Sequence, residues 1–221
     1  MKRLLVFAPH PDDEILGCGG TIIKNIQQGN EVYVCVVTRG YPPYFDIERI
    51  NKNVEDAVAC HQFIGIKKTF FLDFPAVQLE SVNRFDLNGK VLDVVKEVMP
   101  DEVYIPHYGD MQKDHSVVAD ACMVALRPKY KPQVKRILGY ETMSETDWNT
   151  PNVQNAFIPN VFEDISDTLE LKKKALSFFS LQVSPFPDAR SEGAIDALAK
   201  YRGALMHWNA AEAFMLIREL K

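Results

Sequence analysis

Thiol pairs, long apolar runs and basic stripes are all missing from this chain, and each absence excludes something. Its four cysteines stand far apart, at 18, 35, 60 and 122. None forms a C-x-x-C pair, and each lies in or beside an apolar stretch. They read as buried free thiols, not as disulfides or zinc thiolates. The apolar run Leu4–Phe7 is too short for the core of a signal peptide, and a Pro-His-Pro-Asp-Asp stretch interrupts it. No apolar run approaches the length of a membrane span. A cytoplasmic protein with no membrane partner is expected. Basic residues number 25 against 30 acidic ones, for a net charge of −5. With no basic stripe, a nucleic-acid partner is not expected either. Lys172-Lys173-Lys174 is the one strong basic run and reads as a solvated helix face. There is no internal repeat, low-complexity segment or interdomain linker. Hydrophobic residues make up 47% of 221 positions, enough for a full core and suited to a single domain over 1–221.

What is present is an alternation of strands and helices. Leu4–Phe7, Glu31–Thr38, Thr69–Leu72, Glu102–Ile105 and Arg136–Tyr140 read as strands. Gly17–Ile26, Glu48–Phe63, Asp86–Val98 and His115–Leu126 read as helices between them. This order predicts an α/β fold of Rossmann-like type, a mostly parallel sheet with helices on both faces. Residues 149–221 are expected to be mainly helical. Val161–Asp164 is a further strand there, and helices are expected over Ser166–Phe179, Glu192–Arg202 and Ala210–Leu220.

The most informative stretch is Ala8-Pro9-His10-Pro11-Asp12-Asp13-Glu14. It follows the first strand directly, at the edge where α/β folds place ligands. His10 and Asp13 are three residues apart, so one helical turn brings them to the same side. An imidazole and a carboxylate on one side are two metal ligands. Asp12 lies between them, free to act on water at the metal. An acidic helix N-terminus accounts for Asp12, Asp13 and Glu14 through the helix dipole, but not for a histidine between two prolines. The fourth strand leads to Pro106-His107-Tyr108-Gly109-Asp110 and then Gln112-Lys113-Asp114-His115. His115 opens a helix and can turn inward as a third ligand. Three ligands of this kind leave a zinc ion one open position. Asp114 can hold an imidazole in place, as carboxylates behind metal ligands do.

Other residues carry two readings. Arg39 and Arg190 either grip a phosphate or carboxylate of a substrate or form ordinary surface ion pairs. His61 reads as a surface or core-edge residue, and His207 beside Trp208 as packing or a contact between copies of the chain in a homo-oligomer. Tyr140 reads as packing, and Trp148 as packing or a sugar-stacking ring. The Gly17-Gly19-Gly20 cluster lies past the turn and lacks the G-x-G-x-x-G spacing of a dinucleotide loop.

Taken together, these residues resemble the PIG-L/LmbE family of zinc-dependent N-acetylglucosaminyl-type deacetylases. The resemblance rests on Pro9-His10-Pro11-Asp12-Asp13-Glu14, Gly17-Cys18-Gly19-Gly20-Thr21, Thr38-x-Gly40 and Asp114-His115. Towards the C-terminus, Tyr140-Glu141-Thr142, Ser144 to Trp148, Arg190-Ser191 and Ala211-Glu212-Ala213-Phe214 look like members acting on sugars. The resemblance implies zinc, or another divalent ion, on His10, Asp13 and His115, with Asp12 as general base. It implies hydrolysis of an N-acyl group, most simply acetyl, on an amino sugar or its conjugate. The alternatives are an amidase on another small amide or thiol conjugate, and a sugar- or nucleotide-binding module without turnover. One position departs from the family. Many members carry His-x-Asp-His, whose first histidine helps to stabilise the tetrahedral intermediate. Gln112 occupies that place here, as a substrate-binding or oxyanion-binding amide, and His107 is the candidate catalytic imidazole nearest in sequence.

Overall fold

The computed structural model describes residues 1–131 and 133–221. Its centre is a seven-stranded sheet. β1 (Arg3–Ala8), β2 (Glu31–Arg39), β3 (Lys68–Pro75), β4 (Glu102–Pro106) and β5 (Arg136–Tyr140) run parallel. β6 (Val161–Asp164) and β7 (Ala211–Glu219) complete it in the order β3-β2-β1-β4-β5-β7-β6. Helices α1 (Asp13–Gln27), α2 (Ile47–Ile64), α3 (Arg84–Val98) and α4 (Lys113–Ala125) separate the parallel strands. Thus the expected α/β architecture is what the chain adopts.

The alternation of side chains along each strand explains the two cores. Leu4, Val6, Val34 and Val36 face one side, packed with Ile15 and Ile22 of α1 and Ala57 and Cys60 of α2. Leu5, Phe7, Cys35 and Val37 face the other, packed with Leu87 and Val91 of α3 and Val118 and Cys122 of α4. Strands buried on both faces are continuous apolar runs, which is why they were legible. All four cysteines are free and buried, as expected. β1 has β2 on one side and β4 on the other, so the chain winds away from it in both directions. That switch point leaves a crevice outside the strands' C-terminal ends.

The C-terminal portion departs from the helical expectation. α5 (Leu169–Leu176) and α6 (Glu192–Ala204) are helices, but Ala211–Glu219 is strand β7. It lies antiparallel to both β5 and β6. Ala, Glu, Leu, Met and Arg are good helix formers. Here pairing of the β5 edge outweighs local preference, since an unpaired edge leaves backbone groups unsatisfied. Lys172 also departs from expectation. It is buried, and its Nζ donates to Glu212 Oε1 at 2.6 Å and to Leu16 O at 2.8 Å. Glu212 in turn accepts from Gly20 N and Thr21 N. This ion pair therefore ties α5, β7 and α1 together and is no solvated face.

The glycines of α1 serve packing. A Cβ on Gly17 would run into Tyr140 Cδ2, and one on Gly20 would lie 2.7 Å from Ile165 Cγ2. Tyr140 is fully buried, with its hydroxyl donating to Phe7 O. Close approach of α1 to β5 is what sets the first turn of α1 beside the ends of β4 and β5.

Candidate metal centre and active site

α1 begins at Asp13, inside the motif. Asp12 O accepts from Ile15 N and Leu16 N, at 2.9 Å each, and so opens the helix. Asp12 itself sits at φ 114°, ψ −29°. Such a backbone costs a non-glycine residue roughly 1–3 kcal/mol and persists only where its surroundings enforce it. Several contacts do so. Thr38 Oγ1 and Thr38 N both donate to Pro9 O, at 2.7 and 3.0 Å. His10 N donates to Asp13 Oδ2 at 2.8 Å. Asp12 N donates to Glu14 Oε2 at 3.2 Å.

His10, Asp13 and His115 converge, with one potential ligand atom from each within 4.8 Å of the others. Asp13 Oδ2 lies 3.2 Å from His10 Nδ1 and 3.3 Å from His115 Nε2. The remaining ring nitrogens are held by carboxylates. His10 Nε2 meets Asp114 Oδ2 at 3.1 Å, and His115 Nδ1 meets Asp110 Oδ2 at 2.8 Å. Asp114 also accepts from Val77 N and Leu79 N, and Asp110 from Thr146 Oγ1. Each imidazole thus donates outward and turns its other nitrogen inward, the usual arrangement behind a metal. Asp13 Oδ1 and His115 Nε2 are buried without a hydrogen-bond partner. An unpartnered carboxylate oxygen and an unpartnered imidazole nitrogen are what a divalent cation would satisfy, so this donor set fits zinc.

The electrostatics agree. Burial disfavours charge on His10, but hydrogen bonds to Asp114 and Asp13 outweigh it and carry its pKa up to about 9. Burial likewise opposes charge on His115, and the Asp13 charge 3.3 Å from Nε2, with the hydrogen bond to Asp110, carries it up to about 10. These raised values favour a proton on each imidazole when no cation is bound. A divalent cation would have to displace those protons, so its apparent affinity should strengthen as pH rises towards these values and weaken as pH falls. With two protons released, the change is at most about a hundredfold per pH unit. Chelator competition at several pH values measures it, and a flat profile would show imidazoles already free of protons. Asp12 is pushed up to about 8, by burial first and by the Asp13 charge second, while Arg190 opposes. A bound cation would add to the lowering.

A cavity of about 200 Å³ opens on this centre, lined among others by His10, Asp12, Arg39, Gln112, Glu145 and Arg190. Phe45, Ile50 and Phe71 contribute an apolar wall. Arg39 is held by Asn51 at 3.1 Å and lies 3.8 Å from Asp73. Arg190 is engaged by protein partners. Its guanidinium donates to Asp12 Oδ2 at 2.9 Å, to Ser144 Oγ at 2.8 Å and to Glu145 Oε1 at 3.4 Å. It is therefore a partner of Asp12 as much as a wall of the cavity. Arg190→Ala should lower kcat about tenfold or more, with a smaller change in KM, and shift the Asp12 limb of the pH–rate profile upward. A purely KM effect would return Arg190 to substrate contact alone.

His107 is not brought to the cavity lining. It is buried with Nε2 at 3.0 Å from Asn155 O and its ring edge-on to Phe157. The loop after residue 149 draws the ring away from the cavity, so His107 reads as a structural imidazole. Trp148 is exposed and Tyr140 is core. His61, expected at the surface or core edge, is buried against Glu14. Sequence reasoning missed Asp110 as the partner of His115, and Ser144 and Glu145 as partners of Arg190. Asp110 lies in the strand-end stretch five residues before His115, and no local rule pairs the two.

Two imidazoles and a carboxylate that could hold a metal ion thus meet at the strand ends, with the Arg190-paired carboxylate of Asp12 beside them. Residues 5–126 match the profile of PIG-L, GlcNAc-PI de-N-acetylase, and the chain belongs to that family of deacetylases. It is 31% identical over 175 residues to the uncharacterized deacetylase YaiS of Escherichia coli K12, covering 75% of this chain and 83% of that one. It is 25% identical over 230 residues to diacetylchitobiose deacetylase of Thermococcus kodakarensis, covering 98% and 84%. The fold superposes on the conserved protein TT1542 of Thermus thermophilus with a TM-score of 0.80 at 23% identity, covering 100% of this chain and 97% of that one. Among the described residues no helix is long and apolar enough to cross a membrane.

Proposed function

We propose that this chain is a zinc-dependent N-deacetylase acting on an N-acetyl amino sugar or its conjugate. The observation that carries this reading is the meeting of His10, Asp13 and His115 beside the buried carboxylate Asp12 in one cavity. A divalent ion on those three ligands would polarise the amide carbonyl and acidify a water. Asp12 accepts the proton of the attacking water and passes it to the leaving amine. A carboxylate whose pKa is raised towards neutrality suits both halves of that task. Arg190 keeps Asp12 aimed and favours its ionised form. Asp110 and Asp114 fix the two imidazoles and act through them.

Gln112 supplies the remaining donor. Its amide nitrogen stands 3.2 Å from His10 Nε2, and its Oε1 is buried without a partner. Exchanging the two amide atoms removes the clash of two donors. The oxygen then shares His10 Nε2–H with Asp114, and the nitrogen takes the unpartnered position, available to an oxyanion. A neutral donor fixed in place contributes without titrating.

Diacetylchitobiose, on which a named relative acts, and N-acetylglucosamine head the substrate panel. The test is release of acetate and free amine, in equal amounts, by the purified chain with one equivalent of zinc. Acetate from at least one N-acetyl sugar is expected. Turnover confined to amides without a sugar would favour the general amidase. Sugar binding without turnover would favour a binding module.

A further inference from the structure

We propose that Glu14 and His61 form a buried positioning pair that holds the base Asp12 in its working geometry. This rests on the reading of Asp12 as the base. Glu14 and His61 are both buried, and neither lines the cavity. Both oxygens of Glu14 are engaged. Oε2 accepts from Asp12 N at 3.2 Å, and Oε1 lies 2.9 Å from His61 Nε2. His61 Nδ1 lies 2.8 Å from Thr69 Oγ1. With its proton on Nε2, the imidazole donates to Glu14 and accepts from Thr69, so the chain of bonds is complete. It links the first turn of α1, the last turn of α2 and β3.

The bond to Asp12 N falls where it is needed. Asp12 has a left-handed φ of 114°, and its amide precedes the helix and has no carbonyl partner in it. Glu14 fixes that amide from two residues away, alongside the Thr38–Pro9 and His10–Asp13 bonds that hold the rest of the turn. His61 in turn fixes the carboxylate, which has no basic side chain other than this imidazole in direct contact among the described residues. Without this chain, Asp12 is free to relax towards ordinary backbone angles, and its carboxylate leaves the line between water and leaving amine. A misplacement near 1 Å can cost on the order of a hundredfold in rate.

The test is a double-mutant cycle between His61→Ala and Asp12→Asn, read as kcat and KM for acetate release from N,N'-diacetylchitobiose or N-acetylglucosamine, with zinc content measured on every variant. His61→Ala alone is expected to lower kcat about tenfold or more, with KM within about twofold and one zinc per chain retained. In the Asp12→Asn background the same change should have little further effect, because a residue acting through the base has nothing left to position. Glu14→Gln keeps an acceptor for Asp12 N and a donor for His61, whose tautomer reverses, and should hold kcat within about threefold of wild type. If His61→Ala does not fold, Thr69→Val carries the same cycle with a smaller loss. Multiplicative losses in the cycle, loss of zinc with kcat, or an unchanged kcat in folded His61→Ala or Thr69→Val would each overturn the proposal. A wild-type kcat in Asp12→Asn would instead remove the base reading beneath it.

Discussion

Asp12→Asn should leave the fold and the zinc in place and lower kcat by about 10²–10⁴, the usual cost of losing a general base. The two side chains are nearly the same size. The asparagine amide can still accept from Arg190 through its oxygen, at the position now 2.9 Å from the guanidinium. What is lost is the ability to take a proton from water and return it to the amine. Asp12 is not among the three convergent ligands, so metal content should not fall. Measuring zinc per chain and kcat on the same sample separates the two roles. A kcat near wild type would place the base elsewhere. A loss of zinc in step with activity would make Asp12 a ligand.

His115→Ala should abolish tight zinc binding. His115 is fully buried, and it contributes the inward nitrogen that no protein group satisfies. Removing it leaves two ligands and an Asp110 whose Oδ2 has lost its imidazole partner. The expected loss of affinity exceeds the 10–100-fold typical of losing a partner behind a ligand. Asp110→Asn provides that smaller comparison, since an amide oxygen can still accept from His115 Nδ1. Chelator competition on both variants should give a graded series, with His115→Ala weakest. Equal affinities in wild type and folded His115→Ala would remove His115 from the centre.

The parts of this molecule that could be read from sequence are those governed by local pattern. Strands β1 to β5 announce themselves as apolar runs because helices cover both faces of the sheet. His10, Asp13 and Asp12 announce themselves because one strand end and one helical turn place all three. What escaped reading depends on contacts between distant positions. Ala211–Glu219 looks helical until the edge of β5 claims it. Lys172 looks solvated until Glu212, 40 residues on, meets it inside the protein. His107 and Asp110 follow the same strand end, but His107 meets Asn155 O, 48 positions away, while Asp110 meets His115. Arg190 reaches Asp12 across 178 positions, and no spacing rule could have pointed one at the other.

One titration tests the His10, Asp13 and His115 centre most directly. Protein stripped of metal by a chelator should release no acetate from its preferred N-acetyl sugar, and activity should rise linearly with added zinc to a break at one equivalent per chain. The His115→Ala protein should show no such break. Full activity after stripping, or a break that survives in His115→Ala, would contradict the centre formed by His10, Asp13 and His115.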